Sequence, residues 1–346
     1  MDSLDVPEFT PKHRVPPRLR DYFTGASPFH RHLESVRKQT SFGQTPFRRK
    51  IPECSPLQEN FDPQRIAFLL HKQWTLYTLT PMYKFSYTNL KEYSSLLKSF
   101  IAAEKQKGLA VEMEEDFNFK VIFSTLSGVK GTQRDPAAFL VQIISKSQLS
   151  SKSAEEKVVW TGWFCCVYGD SLLENVPDDF TCLPLFLANG AESNTALIGT
   201  WFQQTFDCRF TRLTISAFNL SWMAAMWTAC NLEHYVAATE LLWSVPCSPQ
   251  SLDISYAIHP EDAKALWDSV HQAPEEITQE EVDLFIDCLC SHFHRHFKIN
   301  LAATRLVCVS TSVASAHTDG KIKILCSKYL IGVLAFLTEL AIFQIE

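Results

Sequence analysis

The sequence lacks the short motifs on which many enzymes build a catalytic site. Its 346 residues contain no phosphate-binding loop, no Gly-x-Gly-x-x-Gly, no Gly-x-Ser-x-Gly and no Cys-x-x-Cys. These absences argue against P-loop nucleotide hydrolysis, dinucleotide-dependent redox chemistry, nucleophile-elbow hydrolases and thiol–disulfide exchange. We therefore assign no catalytic residue, no cofactor and no metal on the basis of such motifs.

Other absences narrow the class of protein further. The N-terminus has no apolar core of a secretory signal, and the apolar run 329–338 ends at Glu339, which makes it too short to cross a bilayer. The 11 glycines and 17 prolines and the lack of a fixed-period repeat argue against a collagen-like or repeat architecture. The 11 cysteines, an odd number without a signal peptide, indicate reduced thiols in a cytosolic or nuclear protein.

Charge is distributed unevenly along the chain. Residues 1–50 hold ten Lys and Arg against five acids, so this part carries +5, the remainder −11 and the whole chain −6. Residues 1–60 are also poor in aliphatic side chains and rich in Pro, Arg and Ser, which predicts a disordered basic tail. A basic tail on an acidic body suggests an anionic partner, although a merely solvated tail has the same charge.

Hydroxyl side chains in this tail are candidates for phosphorylation. Thr45 and Ser55 precede proline, and Thr45 is followed closely by the basic run 48–50. A phosphate there would cancel much of the local positive charge. The phosphorylation candidates are Ser41, Thr45 and Ser55, although Ser/Thr-Pro pairs are also common in tails that carry no modification.

The folded part is predicted to be α+β, because strands and helices are mixed without strict βα alternation. We expect an N-terminal part, 61–150, and a C-terminal part, 151–346, that form one continuous body. Residues 158–230 organise it: the runs 158–168 and 180–187 are typical of strands buried on both faces, and 217–230 of a buried helix.

Hydrophobic periodicity predicts the remaining elements. Helices are expected at 62–77, 89–108, 195–206, 260–270 and 279–297. The last of these begins with a capping box, in which Thr278 precedes Glu281 by three residues. Strands are expected at 83–87, 117–123, 139–144, 235–245, 252–258, 305–309, 321–325 and 340–345.

Only one pattern suggests catalysis. On a helix, Cys288, His292 and His296 would share one face at i, i+4 and i+8, where three such side chains could hold zinc. No fourth ligand is evident, and the spacing also fits a helix whose histidines line its wet side. A metal- or cysteine-dependent hydrolase that uses these three residues is the alternative to a binding protein.

A basic segment near the C-terminus is a candidate surface for DNA. Between 291 and 330 the sequence has six Lys and Arg and one acid, Asp319. Lys321 and Lys323 alternate with isoleucines, so both ammonium groups should leave one face of a strand and could follow a phosphate backbone. A solvated face next to an acidic partner would have the same composition. The DNA-facing candidates are Arg295, Lys298, Arg305, Lys321 and Lys323.

The chain closes with an uncharged run that contains neither Pro nor Gly. An exposed strand of this kind would invite a partner strand, whereas an internal one would be core. The partner-strand candidate comprises Leu340, Ala341, Ile342, Phe343, Gln344 and Ile345.

Several long runs resemble one known family. They are residues 160–166, 187–195, 219–227, 258–267 and 337–346. They are similar to vertebrate centromere protein L (CENP-L), a family of the constitutive inner kinetochore network, and the resemblance spans about residue 20 to the end.

This resemblance implies a fold of curved, mostly antiparallel sheets flanked by helices, and a non-enzymatic scaffold subunit. It implies location in the nucleus, at the centromere and kinetochore of chromosomes. The implied partners are centromere protein N, as a heterodimer, then centromere protein C, the H-I-K-M subcomplex, and CENP-A nucleosomes and their DNA within the complex. The family motifs do not fix interface residues, so the candidates above rest on physical reasoning alone.

Overall fold

Fifteen strands and six helices are formed by the described residues of the computed structural model, which are 48–52, 67–106, 119–146, 156–169, 177–234, 237–245, 252–273 and 276–345. The predicted α+β class is confirmed. All these residues belong to the unit Phe42–Glu346. The helices are α1 (Leu90–Gln106), α2 (Glu192–Phe206), α3 (Ala217–Ala229), α4 (Pro260–Val270), α5 (Gln279–Phe297) and α6 (Leu330–Ile345).

The strands are short in the small sheets and up to ten residues long in the large one. They are β1 (Arg48–Lys50), β2 (Gln73–Leu79), β3 (Met82–Tyr83), β4 (Phe119–Leu126), β5 (Ala138–Lys146), β6 (Glu156–Cys165), β7 (Phe180–Thr181), β8 (Leu185–Gly190), β9 (Phe210–Arg212), β10 (Thr239–Val245), β11 (Leu252–Ile258), β12 (Glu276–Thr278), β13 (Arg305–Ser310), β14 (Ala314–His317) and β15 (Lys321–Ile324).

Eleven strands form one antiparallel sheet in the order β11-β10-β13-β14-β15-β2-β8-β6-β5-β4, with β9 also paired to β2. The junction is β2, which pairs with β15 through residues 73–75 and with β8 through residues 75–78. We call β8, β6, β5 and β4 the enclosed half, and β11, β10, β13, β14 and β15 the open half. The remaining strands form two small sheets, β1-β12 and β3-β7.

The enclosed half holds an aromatic core. One face packs against α1 and α2, and Phe164 at its centre lies 4.4 Å from Phe139, 4.3 Å from Phe186 and 4.7 Å from Phe202, measured between ring centroids. Helix α6 contacts β2 and β8, and Trp160 to Cys165 of β6 are all buried. Burial on both faces explains why β6 and β8 have continuous apolar sequences, as was predicted for the runs 158–168 and 180–187.

The open half is covered on one face only. Its inward face carries buried side chains such as Trp243 and Val309, and α3 contacts β13 and β14. Tyr256 of β11 points to the same side, because its ring meets Phe293 of α5 at 5.2 Å. On the other face, the side chains are exposed or half-buried all the way across the sheet, from Glu240 of β10 to Lys323 of β15. An antiparallel sheet tolerates such a solvated face.

Helix α5 begins where the sequence predicted. Thr278 accepts a hydrogen bond from the backbone N–H of Glu281, and the Glu281 side chain accepts one from the backbone N–H of Thr278. This reciprocal capping satisfies two of the backbone donors that a helix start leaves unpaired. The capping-box prediction is confirmed.

Two predicted elements in the N-terminal part are wrong. The helix expected over 62–77 fails in its second half, because Gln73–Leu79 form β2 and pair with three other strands. The strand expected over 83–87 is reduced to β3, since Ser86 caps a short 3₁₀ turn that leads into α1. In both places long-range pairing or a local cap overrides the apparent period.

The predicted tail contains an ordered strand. Residues Arg48–Lys50 form β1, which pairs antiparallel with β12. Arg49 is buried, whereas its two neighbours are exposed. A basic, aliphatic-poor composition does not reveal this strand, because its anchor is an arginine rather than an apolar side chain.

Candidate interaction surfaces

Lys321 and Lys323 lie on the same face of β15, as their alternation predicts. The register pairs Lys321 with His317 and Lys323 with Ser315, and cross-strand partners share a face. Lys323 is exposed and Lys321 is half-buried. Small side chains continue this face across the open half: Ser255, Ala257, Cys308, Ser310 and Ser315.

Asp319 offsets the charge of Lys321. Its carboxylate oxygens lie 2.7 Å from Nζ of Lys321 and 2.7 Å from Nδ1 of His317. Burial by itself raises the pKa of Asp319, but the hydrogen bond and charge of Lys321, together with His317, outweigh burial and hold that pKa below its ordinary value. Lys321 is therefore a weaker source of positive potential than the sequence indicated.

A turn signal in the sequence could have located this pair. Asp319 and Gly320 lie in the three-residue loop between β14 and β15, and Gly320 has a φ of +78°. Asp-Gly between two strands is typical of a tight hairpin. A hairpin at this point places the carboxylate next to the first residue of the following strand, Lys321.

The other three DNA-facing candidates divide between two sides of the sheet. Arg305 is exposed at the start of β13, opposite Ser244, and lies on the same outward face as Lys323. The pairing of β10 with β13 shifts by a bulge next to Trp243, and with this shift the side chains still alternate between the two faces. Arg295 and Lys298 are exposed at the end of α5, which packs on the inward side. Cations at a helix C-terminus also complement its dipole. The five candidates therefore do not form one continuous surface on the open face.

Exposed apolar side chains on β11 and at the end of α5, which packs against β11, were missed by the sequence analysis. Leu252 of β11 is 58% exposed, and Phe297 and Ile299, at and just beyond the end of α5, are 58% and 47% exposed. The ring of Phe297 is tilted by 35° against that of Phe293 at a centroid distance of 4.6 Å, and Phe293 contacts Tyr256 of β11. An aromatic row therefore leads from the core to the surface beside the strand.

Strand β11 itself is an edge. It pairs with β10 along its whole length, and no other described strand pairs with it. It contains no Pro, Gly, Lys or Arg, and its only charged residue is Asp253. Edge strands are usually protected by such residues, so an unprotected edge beside exposed apolar side chains is typical of a binding site.

The C-terminal run is helix rather than strand. Residues Leu340, Ala341, Ile342, Phe343, Gln344 and Ile345 are the end of α6, and the first three are buried. The strand prediction is wrong because the helix is apolar on nearly every side, and a run without periodicity does not distinguish the two structures. The partner strand proposed for these residues is not available in this conformation.

Helix α6 also has the composition of a membrane span. Residues Ser327–Ile345 are long and apolar enough to cross a bilayer, which the sequence interpretation of a run too short for that purpose overlooked. However, 61% of the apolar window is buried inside the fold. A core helix meets the same criteria of length and composition.

The Cys288, His292 and His296 pattern does not form a catalytic site. Nδ1 of His292 is hydrogen-bonded to the hydroxyl of Tyr256, and burial raises the pKa of the Cys288 thiol, which disfavours the reactive thiolate. Across the described ranges, no group of three His, Cys, Asp or Glu side chains is arranged to hold a metal ion. The hydrolase alternative is therefore not supported.

The phosphorylation candidates cannot be placed on these surfaces. Ser41, Thr45 and Ser55 lie outside the described residues. They remain predictions from sequence.

An open sheet face and an apolar strand edge are features of proteins that bind other macromolecules. A family model described as centromere protein L matches residues 68–342 of the chain. The chain is 78% identical to Centromere protein L of Homo sapiens and 77% identical to that of Bos taurus, over 346 residues and 100% of both chains in each case. Centromere protein L of Danio rerio is 41% identical over 307 residues, 87% of this chain and 83% of its own.

These matches show that the chain belongs to the centromere protein L family, so the resemblance found in the sequence motifs is confirmed. The protein is accordingly a nuclear component of the centromere and kinetochore of chromosomes.

Proposed function

We propose that the protein is a non-enzymatic scaffold subunit of the inner kinetochore, which pairs with centromere protein N and helps the network assemble on CENP-A chromatin for chromosome segregation. Membership of the centromere protein L family supports a place in a centromere complex. Centromere protein C and the H-I-K-M subcomplex are its further partners under this proposal.

The observation that carries the proposal is the β11 corner, which we define as Leu252, Tyr256, Phe297 and Ile299. A strand of centromere protein N adds to the free edge of β11, so that main-chain hydrogen bonds continue the sheet. Its apolar side chains cover the exposed parts of Leu252, Phe297 and Ile299. Association then removes apolar surface from water, which is the dominant favourable term in most protein interfaces.

Substitution of the corner tests this pairing. The full chain with Leu252→Lys and Phe297→Ser should lose about tenfold or more in affinity for centromere protein N, because edge lysines oppose strand addition and the serine removes an aromatic anchor. Affinity is measured by titration of purified partners, with co-elution at high salt as a second readout.

The matched control is Leu96→Lys. Leu96 is 46% exposed on α1, which packs on the enclosed half. This variant introduces the same charge at a similar exposed leucine and should pair like the wild type. If the corner variant folds normally by circular dichroism and still binds with wild-type affinity, the corner is not the partner surface.

A second candidate function is contact with DNA in the assembled complex. It is favoured by Lys323 and Arg305, which are exposed on the outward face of the open half and form no ion pair among the described residues. Arg295 and Lys298 would contribute only if DNA also passes the end of α5. Phosphate contacts of this kind position a protein without reading base sequence.

A further inference from the structure

The short strand β1 is bound as a peptide would be bound. Residues 48–52 contact three elements that are remote in sequence: they add a strand to β12, place Arg49 between α3 and α6, and rest Pro52 on α6. The ladder has only three residue pairs, Arg48 with Thr278, Arg49 with Ile277 and Lys50 with Glu276. Side-chain recognition must therefore supply most of the binding.

Arg49 occupies a socket that suits a guanidinium group. It pairs with the carboxylate of Glu339, and its guanidinium carbon lies 4.4 Å from the ring centroid of Phe336 and 5.3 Å from that of Trp222. Nε1 of Trp222 donates to Gln279 at 2.8 Å, which fixes that ring. Arg49 is 8% exposed, so its ion pair and its cation–π contacts are shielded from water; Nη1 donates to Glu339, whereas Nε and Nη2 are buried without a hydrogen-bond partner among the described residues.

Helix α6 presents this socket on one stripe. Gly332, Phe336 and Glu339 follow one another at i, i+4 and i+7, which places them on one helix face. A Cβ at Gly332 would lie 2.8 Å from Cβ of Pro52, so glycine leaves the space in which the proline rests. The stripe therefore contacts two residues of the bound segment, Arg49 and Pro52, which lie three residues apart.

We propose that β12, α3 and α6 form a strand-docking site for an extended, arginine-containing segment, and that the chain's own residues 48–52 occupy it in cis. The site combines a three-residue main-chain ladder with the Glu339 socket, and the socket supplies most of the affinity as well as the specificity. It begins at the N-terminus of α5, whereas the β11 corner lies at the other end of this helix of 19 residues, about 28 Å away. The two proposals can therefore fail independently.

Exchange of the segment in trans tests the site. A fluorescent peptide of residues 44–53 is titrated against the full chain and against the full-chain Arg49→Ala variant, with anisotropy as the readout. The tethered segment has an effective concentration of about millimolar, so micromolar peptide should not displace it from the wild type. In the variant the socket is vacated, and the peptide should bind at least about tenfold more tightly than to the wild type.

The neighbouring arginine provides the matched control. Arg48 is exposed and lies 3.7 Å from Glu276 in a surface ion pair. A peptide with Arg48→Ala should bind the Arg49→Ala protein within about twofold of the natural peptide, whereas a peptide with Arg49→Ala should not bind. Equal losses for the two peptides, equal binding to both proteins, or no saturable binding to the variant would each overturn the proposal.

A second variant avoids leaving Glu339 without its partner. Gly332→Ala should push Pro52 away while it strengthens α6, because alanine is a better helix former than glycine. By hydrogen exchange, the amides of 48–50 and 276–278 should lose protection while those of α6 do not. Unchanged protection of both strands in this variant would also overturn the proposal.

Discussion

The two halves of the large sheet have the same antiparallel pairing but differ in how many of their faces are covered by other elements. In the enclosed half, β6 and β8 are covered on both faces, and the aromatic rings around Phe164 interlock at centroid distances of 4.3 to 4.7 Å. In the open half, one face carries serines, alanine and cysteine, and the last strand has a free edge.

This difference suggests that the enclosed half mainly stabilises the fold and that the open half mainly binds partners. In the enclosed half, β6 and β8 are filled on both faces and serve the fold, while the outer strand β4 alternates buried with exposed residues and pairs with β5 alone among the described strands. A half that is filled on one face keeps an outward face, an edge and an apolar corner. The proposed contacts with centromere protein N and with DNA both lie on the open half, which holds that position because the enclosed half anchors it through β2.

The largest expected effect comes from a cavity in the enclosed half. Phe164→Ala should lower the free energy of unfolding by about 3–5 kcal/mol, because three packed rings lose their common neighbour and the space cannot collapse fully. Leu242→Ala, half-buried on the outward face of the open half, should cost less than about 1 kcal/mol. Urea unfolding measures both, and comparable losses would contradict the distinction between the halves.

A smaller effect is expected at the N-terminal cap of α5, the helix whose other end packs on the open half. The carboxylate of Glu281 accepts hydrogen bonds from the backbone N–H groups of Gln272 at 2.7 Å and Thr278 at 2.8 Å. Burial by itself raises the pKa of Glu281, but these bonds and the nearby His271 outweigh it and set that pKa below 4.5. Glu281→Gln should cost about 1 kcal/mol at neutral pH, because the amide has one acceptor oxygen for these two N–H donors and carries no charge.

The sign of the pH dependence follows from the lowered pKa. The stability contributed by ionised Glu281 is present above the unfolded pKa of about 4.5 and is lost as the pH falls through the lower folded pKa. The difference in the free energy of unfolding between wild type and Glu281→Gln should therefore be constant near neutral pH and shrink below about pH 4.5. Unfolding curves from pH 7 to 3.5 test this, with the exposed neighbour Glu280→Gln as control. A difference that grows on acidification would contradict the assignment.

The sequence predicts local structure well where a cause is local. The cap of α5 needs only Thr278 and Glu281, and the strands β4, β5 and β6 need only their own residues. Strand β2 was missed because its structure depends on pairing with β8, β9 and β15, which lie more than one hundred residues away. The end of α6 was missed because an apolar run without a period fits a buried helix and a strand equally.

The candidate surfaces were likewise predictable only where their cause is local. Alternation correctly placed Lys321 and Lys323 on one face, because the period of a strand is local. The free edge of β11 follows from the order of eleven strands, which no short window of sequence contains. Glu339 shows the same limit: in the sequence it only interrupts an apolar run, whereas in the fold it receives Arg49 from 290 residues away.

The smallest expected effect is on DNA binding by the outward face of the open half. The proposed DNA contacts on this face differ in whether a nearby acid offsets their positive charge. Lys323 and Arg305 form no ion pair among the described residues, while Lys321 is held at 2.7 Å from Asp319. Removal of one cation that binds a DNA phosphate should reduce the salt slope of binding by about one unit. Lys323→Glu and Arg305→Glu together should therefore reduce it by about two units, and Lys321→Glu by less than one, since its charge is already offset.

The experiment is a salt titration of the complex with centromere protein N on two unrelated duplexes. Both duplexes should respond alike, because phosphate contacts carry no base information, and distant acids are screened beyond about 8 Å at physiological salt. Asp319→Asn provides the opposite test: it releases Lys321 and should raise the slope by up to about one unit. Slopes that are identical in wild type and in all of these variants would move the DNA contact away from the open half, to the basic tail or to the partner subunit.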